Sequence, residues 1–457
     1  MIDIIELLQR EFGAGQLITD EDRLIPYGKD ESDNGLYLPA AVFLPTDALQ
    51  VEVLCTLALE HKFCITPRGL GTGKSGGALP INGGIVISFE KMNHILDIDE
   101  ESLFAVVEPG VITLDLQKAA LEQHLFYPPD PASLDQCSIG GNVAENAGGP
   151  RAFRYGVTRE YLLGMELVRM GGERFSIGKK SVKGVSGYDM TALMCGSEGT
   201  LGVFTRLLMK LIPVHRPSGI ILAYYPTATA AGKGISTLLR SGVFPMSLEM
   251  LDGTAIDHIR GIEGFNPPAG TQGAIICELE GLPEDDALLS SVADLFESTG
   301  ITEMRAAMDV PDMNRVWEAR RRVSTRLKEM HLKKLSEDIA VPRGAMEETL
   351  HIVSDIARNL GLESASYGHA GDGNLHVNFL SDSEDTHKNL ERAVMELFVR
   401  ICALGGTLSG EHGIGISKRK YMNIEHDPFS LKMMRQMKKA WDPHNLLNPG
   451  KIIPEGY

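Results

Sequence analysis

Apolar and polar positions along the chain follow two periods, and glycine-rich breaks separate the segments they mark out. Residues 1–15, MIDIIELLQREFGAG, read as an acidic amphipathic helix ending at Gly13. VFLP at 42–45 predicts a short strand. Residues 46–61 predict a helix, with Thr46 or Asp47 as its cap and Leu49, Val53 and Leu57 on one face. Strands are expected at 63–67, 84–89 (GIVISF) and 104–107 (FAVV), then a helix over 113–124 and a loop-rich stretch from 125 to 149. Residues 163–170 and 202–211 read as strands around a third glycine-rich segment. The composition changes near 212–218. Beyond it, strands at 220–225, 273–279 and 375–379 alternate with long helices at 311–330 and 388–404. The last of these carries Leu390, Val394, Leu397, Phe398 and Ile401 as one stripe and ends at Gly405–Gly406. No repeat or low-complexity tract interrupts the pattern. The expected class is α+β with two main lobes.

A chain of 457 residues exceeds one ordinary core and implies two or three domains. Lys plus Arg (44) against Asp plus Glu (61) gives −17, which excludes a nucleic-acid footprint and disfavours anionic lipid. No window approaches ~18 uninterrupted apolar residues, so no membrane span is expected. The N-terminus lacks the basic start and apolar block of a secretory signal, which predicts a cytoplasmic protein. The six cysteines (55, 64, 137, 195, 277, 402) contain no C-x-x-C pair. That excludes a ferredoxin-type cluster and a cysteine zinc site. A redox enzyme of this composition would pass its electrons to a separate acceptor.

Two segments carry the densest chemistry. Residues 367–379 read YGHAGDGNLHVNF and residues 409–415 read SGEHGIG. Their residues His369, His376, Glu411 and His412 have the composition of a divalent-metal site with a spare histidine. Zinc, manganese or iron(II) would suit imidazole and carboxylate ligands. Leu375, Val377 and Phe379 alternate with Asn374, His376 and Asn378, which predicts a half-buried strand whose polar face turns His376 away from the core.

Residues 66–80, TPRGLGTGKSGGALP, contain two decoys. Gly71, Gly73 and Gly76 match G-x-G-x-x-G, but a strand follows instead of a helix. Gly73-Lys74-Ser75 imitates a Walker A ending, but Arg68 stands where its first glycine belongs. What remains is a non-helical loop rich in backbone N–H groups, suited to phosphate oxygens. Segments 138–149 and 196–202 have the same character, and three such loops suit a long pyrophosphate ligand such as FAD.

PRGLGTGKSGGALP, PDPASLDQCSIGGNVAENAGGPRAFRYG, CGSEGTLG, GHAGDGNLHVNF, SGEHGIG and WDPHNLLNPGK together resemble the FAD-linked oxidase family of the vanillyl-alcohol oxidase superfamily, in order, from about Val42 to Lys451. Within it the nearest likeness is to glycolate oxidase catalytic subunits and to D-lactate and D-2-hydroxyglutarate dehydrogenases. The resemblance implies an N-terminal lead-in (1–37) and a two-subdomain FAD-binding domain of the p-cresol methylhydroxylase (PCMH) type (38–214). A substrate or cap domain with an antiparallel sheet and flanking helices (215–405) would follow, and a C-terminal segment (406–457) would return to the flavin. It further implies that Arg68, Gly69, Gly71, Thr72, Gly73, Ser75 and Gly76 hold the pyrophosphate. Ser138, Gly140, Gly141, Asn142, Gly148, Glu198, Gly199, Gly202 and Asn448 would line the rest. The first loop has no histidine, so the FAD is expected to be non-covalent. Cys137 and Cys195, near these segments, read as small buried residues.

The implied activity is oxidation of a D-2-hydroxy acid of the lactate or glycolate class to the 2-oxo acid. His369, His376 and Glu411 would hold the divalent metal, with His412 as general base. The most basic segment, RVWEARRRVSTRLKEMHLKK (315–334), carries an apolar stripe of Val316, Val323, Leu327 and Met330. Arg320 and Ser324 fall four apart on another face. By resemblance Arg320, three residues after Trp317, grips the substrate carboxylate. Ser324 replaces the threonine of the hydroxyglutarate enzymes, and the choice between Lys333 and Lys334 stays open. By charge pattern alone, the same run also reads as a solvated helix face. Asn378 and Asn374 read as substrate-hydroxyl contacts or as plain strand and turn residues. The expected partners are a 2-hydroxy acid and a separate electron acceptor: an iron–sulfur subunit, an electron-transfer flavoprotein or quinone. A homodimer, and a peripheral membrane position through a partner, are compatible with this reading. A non-redox transferase on the same fold and a hydroxyglutarate dehydrogenase are the alternatives.

Overall fold

A computed structural model describes residues 4–456, and they divide into two compact units. One consists of residues 4–148, 156–214 and 411–456; the other of 149–155 and 215–410. Along the chain the units change at 148/149, 155/156, 214/215 and 410/411.

In the first unit, α1 (Ile4–Phe12) leads into a four-stranded sheet of β1 (Leu17–Ile18), β2 (Ala41–Phe43), β3 (Ile65–Arg68) and β4 (Ile85–Ser88). The order is β1-β2-β4-β3, with β2 and β3 parallel to β4. Every residue of β4 is buried, as expected for a central parallel strand covered on both faces. Helix α2 (Ala48–His61) is capped by Asp47, whose side chain accepts the Gln50 N–H at 3.0 Å. Its buried face is Val51, Leu54, Cys55 and Ala58, not the expected stripe of Leu49, Val53 and Leu57; Leu49 is exposed. The sequence VEVLCTLAL is apolar on both sides of the helix, so periodicity there does not pick one face.

A five-stranded antiparallel sheet follows: β5 (Ile95–Asp99), β6 (Phe104–Val107), β8 (Leu162–Val168), β9 (Arg174–Gly178) and β10 (Val203–Lys210), in the order β5-β6-β10-β8-β9. β7 (Leu125–Phe126) pairs with β11 (Ile212–Pro213). Helix α3 (Thr113–Glu122) lies where expected. The stretch expected to be loop-rich holds a further helix, α4 (Ile139–Glu145), capped by Ser138 and closed by Asn146 in the left-handed conformation. The cap and C-terminal asparagine create a helix that its two glycines alone argue against.

The C-terminal tail belongs to this unit. Leu447 forms a parallel bridge with Ile65, and Leu446 and Leu447 join the core of α2 and the first sheet. Asp442 organises the turn: it accepts the Leu446 and Leu447 N–H groups and the buried Lys438 ammonium, which also donates to the Thr200 and Leu447 carbonyls.

The second unit is a seven-stranded antiparallel sheet. Its strands are β12 (Ser218–Tyr225), β13 (Ser247–Asp252), β14 (Gly273–Glu280), β15 (Glu303–Ala307), β16 (Lys333–Ala340), β17 (Glu363–Gly368) and β18 (Asn374–Ser381), in the order β15-β12-β14-β13-β17-β18-β16. Helices α5 (Ala228–Arg240), α8 (Met346–Leu360) and α9 (Glu384–Ala403) cover one face, and α6 (Gly253–Ile259) and α7 (Val310–Met330) cover the other. The predicted stripe of α9 is buried throughout. In α7, Val316, Val323 and Leu327 are buried as predicted, but Met330 at the last position is exposed.

β18 corrects the sequence reading of the histidine strand. All eight of its residues are buried, because it lies inside the sheet between β17 and β16 with helices on both faces. His376 and Asn378 share their face with Leu380, which belongs to the core under α6 and α7. The polar residues therefore form the polar end of a packed face rather than a solvated one.

Candidate active site

In the first unit the polar loops meet around α4. Gly69 lies against Ser138: a Cβ there would come within 2.4 Å of the Ser138 hydroxyl. The same hydroxyl accepts the Gly141 N–H at 3.2 Å, and a Cβ at Gly140 would strike Pro109 at 2.6 Å. Among the described residues, no backbone N–H from Gly69 to Ser75 donates to another backbone carbonyl. The Ser75 hydroxyl, the Ser197 hydroxyl and the Asn448 side-chain oxygen are buried without a hydrogen-bond partner. Such orphaned groups carry a large cost unless a ligand completes them. A row of N–H donors beside buried hydroxyls and an amide oxygen fits the phosphates and polar edges of FAD.

Other members of the expected lining also make contacts within the protein. The Arg68 guanidinium is buried and donates to the carbonyls of Lys29 (2.8 Å) and Pro26 (2.9 Å), so its side chain fixes the lead-in segment. Asn142 donates to the Thr113 hydroxyl at 2.7 Å. Asn448 donates to the carbonyls of Gly77 (2.8 Å) and Glu198 (2.7 Å), tying the tail to two of the loops. Glu198 accepts the N–H groups of Ile414 (2.8 Å) and Gly415 (2.7 Å) and so shapes the SGEHGIG loop. Burial raises its carboxyl, against the pull of those two bonds. Gly199 sits 3.3 Å (as a notional Cβ) from Pro67, and Gly202 faces Leu167 at 2.5 Å. Gly148 faces Glu411, whose Oε2 would lie 2.8 Å from a Cβ at that position. The Glu411 carboxylate is 4.0 Å from His412 Nε2. Cys137 and Cys195 are buried free thiols, and burial pushes both up, Cys195 to about 11, away from the thiolate form.

In the second unit the buried polar end of the sheet is built on Glu249, a residue the sequence reading did not single out. Glu249 comes from β13 and is fully buried. One of its oxygens receives Nε and Nη2 of Arg320, each at 2.6 Å, and the other is bonded to Nδ1 of His369. Burial alone would raise this carboxyl; Arg320, and after it His369, outweigh burial and hold it at about 2. The Arg320 guanidinium also lies over the Tyr367 ring at 4.7 Å. Tyr367 is paired in register with His376, their rings 5.4 Å apart, and the His369 and His376 rings meet edge to face at 5.5 Å. Arg320, expected by resemblance to grip the substrate carboxylate, is a buried member of an ion pair and not part of a solvated helix face. Ser324 is approached by Lys334 Nζ at 3.3 Å, which distinguishes Lys334 from Lys333. Asn378 donates to the Ala365 and His376 carbonyls, while its side-chain oxygen is buried without a partner.

Glu249 had one legible signal, a lone charge inside the apolar run MSLEML. The elements explain the rest. The glycines between β17 and β18 make the turn that carries His369: Gly373 has φ +89°, and a Cβ there would strike the Val341 carbonyl at 2.0 Å. In a metal site, a carboxylate on Nδ1 leaves Nε2 as the liganding nitrogen and fixes the ring. His369, so held by Glu249 and set beside His376, has that arrangement. Gly410 closes the second unit next to His376: its N–H bonds the Asp338 carbonyl at 3.1 Å, and Asp338 is the register partner of His376.

Residues 39–178 match the family model described as FAD binding domain, and residues 215–452 match that described as FAD linked oxidases, C-terminal domain. The chain is 36% identical to glycolate oxidase subunit GlcD of Bacillus subtilis over 454 residues, 99% of this chain and 97% of that one. It is 33% identical to D-lactate dehydrogenase of Archaeoglobus fulgidus over 90% of this chain and 91% of the relative. Among solved structures, p-cresol methylhydroxylase with substrate bound superposes with a TM-score of 0.81 at 18% identity, covering 98% of this chain and 96% of that one. That likeness speaks to the fold.

Proposed function

Because the chain belongs to the FAD-linked oxidases, we propose that it is an FAD-dependent dehydrogenase of a D-2-hydroxy acid of the lactate or glycolate class. The observation that carries the proposal is the buried Arg320–Glu249–His369 array beside His376, which joins an anion-binding group to metal-type imidazoles on one face. The relatives named as glycolate oxidase and D-lactate dehydrogenase point to the same substrate class.

FAD, when bound, supplies the hydride acceptor, and a divalent cation supplies Lewis acidity. The chain's own residues do the rest. His369, His376 and Glu411 are the ligands proposed for the cation, with Glu249 setting the His369 ring. Arg320 commits its Nε–Nη2 edge to Glu249, so its Nη1 edge is the one proposed to meet the substrate carboxylate. Ser324 and Lys334 extend that donor set. His412 accepts the hydroxyl proton, a role typically worth ~10²–10⁴-fold in rate. Asn378, with its unpartnered buried oxygen, positions a polar substrate atom or a bound water. Gly69, Gly71, Thr72, Gly73, Ser75 and Gly76 hold the pyrophosphate through backbone and hydroxyl donors. Electrons leave to a separate acceptor, since the sequence carries no cluster-binding cysteine motif.

The test is an anaerobic screen of D- and L-hydroxy acids against the FAD-loaded protein. Loss of flavin absorbance with a D-2-hydroxy acid, abolished by a chelator and restored by a divalent metal, supports the assignment. A loaded protein that no hydroxy acid reduces favours the transferase alternative.

A further inference from the structure

Away from this site, the second unit places His258, His331, Glu363 and Asp382 together. His258 lies on α6. His331 follows α7, Glu363 opens β17 and Asp382 follows β18. His258 Nδ1 is 2.7 Å from the Thr254 carbonyl, which can only accept, so that nitrogen carries the proton. His331 Nδ1 is 3.1 Å from both Asp382 oxygens and is protonated for the same reason. With one proton on each ring, the two remaining nitrogens, Nε2 of each, present lone pairs that face each other at 2.9 Å. Two lone pairs at that separation repel unless a cation, either a further proton or a metal ion, lies between them.

We propose that this cluster is a second, zinc-class divalent-cation site, with His258 Nε2, His331 Nε2 and Glu363 as its protein ligands. Both imidazoles hand their second N–H to a carbonyl or a carboxylate, the outer arrangement that orients metal-bound histidines. Bonds of about 2.0–2.1 Å to each nitrogen span a 2.9 Å separation at an angle of roughly 90°. The ligand atoms of His331, Glu363 and Asp382 lie within 4.8 Å of one another, so two carboxylates stand beside the His331 ring. The His331 side chain is 7% exposed, while Glu363 and Asp382 are exposed, so the imidazole is sheltered and the carboxylates face solvent. Imidazole with carboxylate suits zinc over magnesium or calcium. A cation here would pin the end of α7 to α6 and to the start of β17, a structural cross-link. The inference stands independently of the proposed reaction.

The experiment is equilibrium dialysis of the chelator-stripped, FAD-loaded full chain against Zn²⁺, with metal content measured per chain. It compares wild type with His258→Gln, His331→Gln and His376→Gln. His258→Gln and His331→Gln should each lose one zinc equivalent relative to wild type while keeping the wild-type flavin content. They should also lose the rise in unfolding temperature that Zn²⁺ gives. His376→Gln should retain that equivalent, which separates this site from the one proposed for catalysis. Wild-type zinc content in both His258→Gln and His331→Gln would overturn the assignment. If His331→Gln does not fold, His258→Gln decides alone. No zinc uptake by any variant would mean that a proton bridges the pair, and would also overturn it.

Discussion

Glu249 is the residue on which the site's geometry turns. It neutralises Arg320, fixes His369 and is held ionised in a fully buried position. Glu249→Gln leaves a buried guanidinium without its counter-charge, a change that typically costs ~3–5 kcal/mol. It also frees the His369 ring, and loss of such an outer carboxylate weakens metal binding by ~10–100-fold. The expected result is a protein with a lower urea midpoint that keeps its flavin but loses metal on dialysis. Unchanged metal content would remove Glu249 from the positioning role. His412→Ala tests the proposed base: turnover should fall ~10²–10⁴-fold with flavin content unchanged. The histidines were legible in the sequence because they stand in glycine-rich motifs. Glu249 was not, because its partners lie 71 and 120 residues further along the chain. Arg320 was picked out, but its ion pair was not, since a helix stripe says which face is buried and nothing about a charge on the facing strand.

At the scale of elements, the periodic signals were most reliable where one face alone is apolar. The stripe of α9 is such a case. They fail in α2, where Leu49 and Val51 offer rival faces, and in β18, where alternation predicts a half-buried strand and the whole strand is buried. A strand inside a sheet with helices on both sides has no solvent face, and a single sequence does not reveal its neighbours. Helix α4 was missed because a cap, not a period, makes it. The contact between Gly69 and Ser138 gives a test at this scale. Gly69→Ala places a methyl carbon 2.4 Å from the Ser138 hydroxyl and forces apart two loops of the proposed pyrophosphate nest. FAD affinity, read by flavin fluorescence, should fall at least about tenfold, an energy of ~1.4 kcal/mol that a modest steric conflict supplies. Wild-type affinity would place the pyrophosphate elsewhere.

For the whole molecule, the sequence indicated the fold class, and the tail's return to the first sheet through Leu446 and Leu447 follows that expectation. No described helix is long and apolar enough to cross a membrane. Stability should depend on pH partly through Lys451, which donates to the Leu79 carbonyl at 2.6 Å. Burial pulls its ammonium down to about 8, against Glu198 and Asp30, which pull the other way. The folded chain therefore holds fewer protons than the unfolded chain between pH 8 and the ordinary lysine range. This group's contribution is greatest above that range and is lost as the pH falls through about 8, with a span of roughly 3 kcal/mol. Lys451→Met should flatten the rise in urea midpoint between about pH 8 and 10, and an unchanged slope would refute the assignment. The central claim, a flavin reduced by a hydroxy acid with help from a cation, is tested most directly by anaerobic titration of the FAD-loaded chain with D-lactate and glycolate, before and after chelation. Bleaching of the flavin by at least one of them, lost on chelation and regained with zinc, manganese or iron(II), is the predicted result. A flavin that stays oxidised with every 2-hydroxy acid, or one that bleaches equally well without metal, would contradict it.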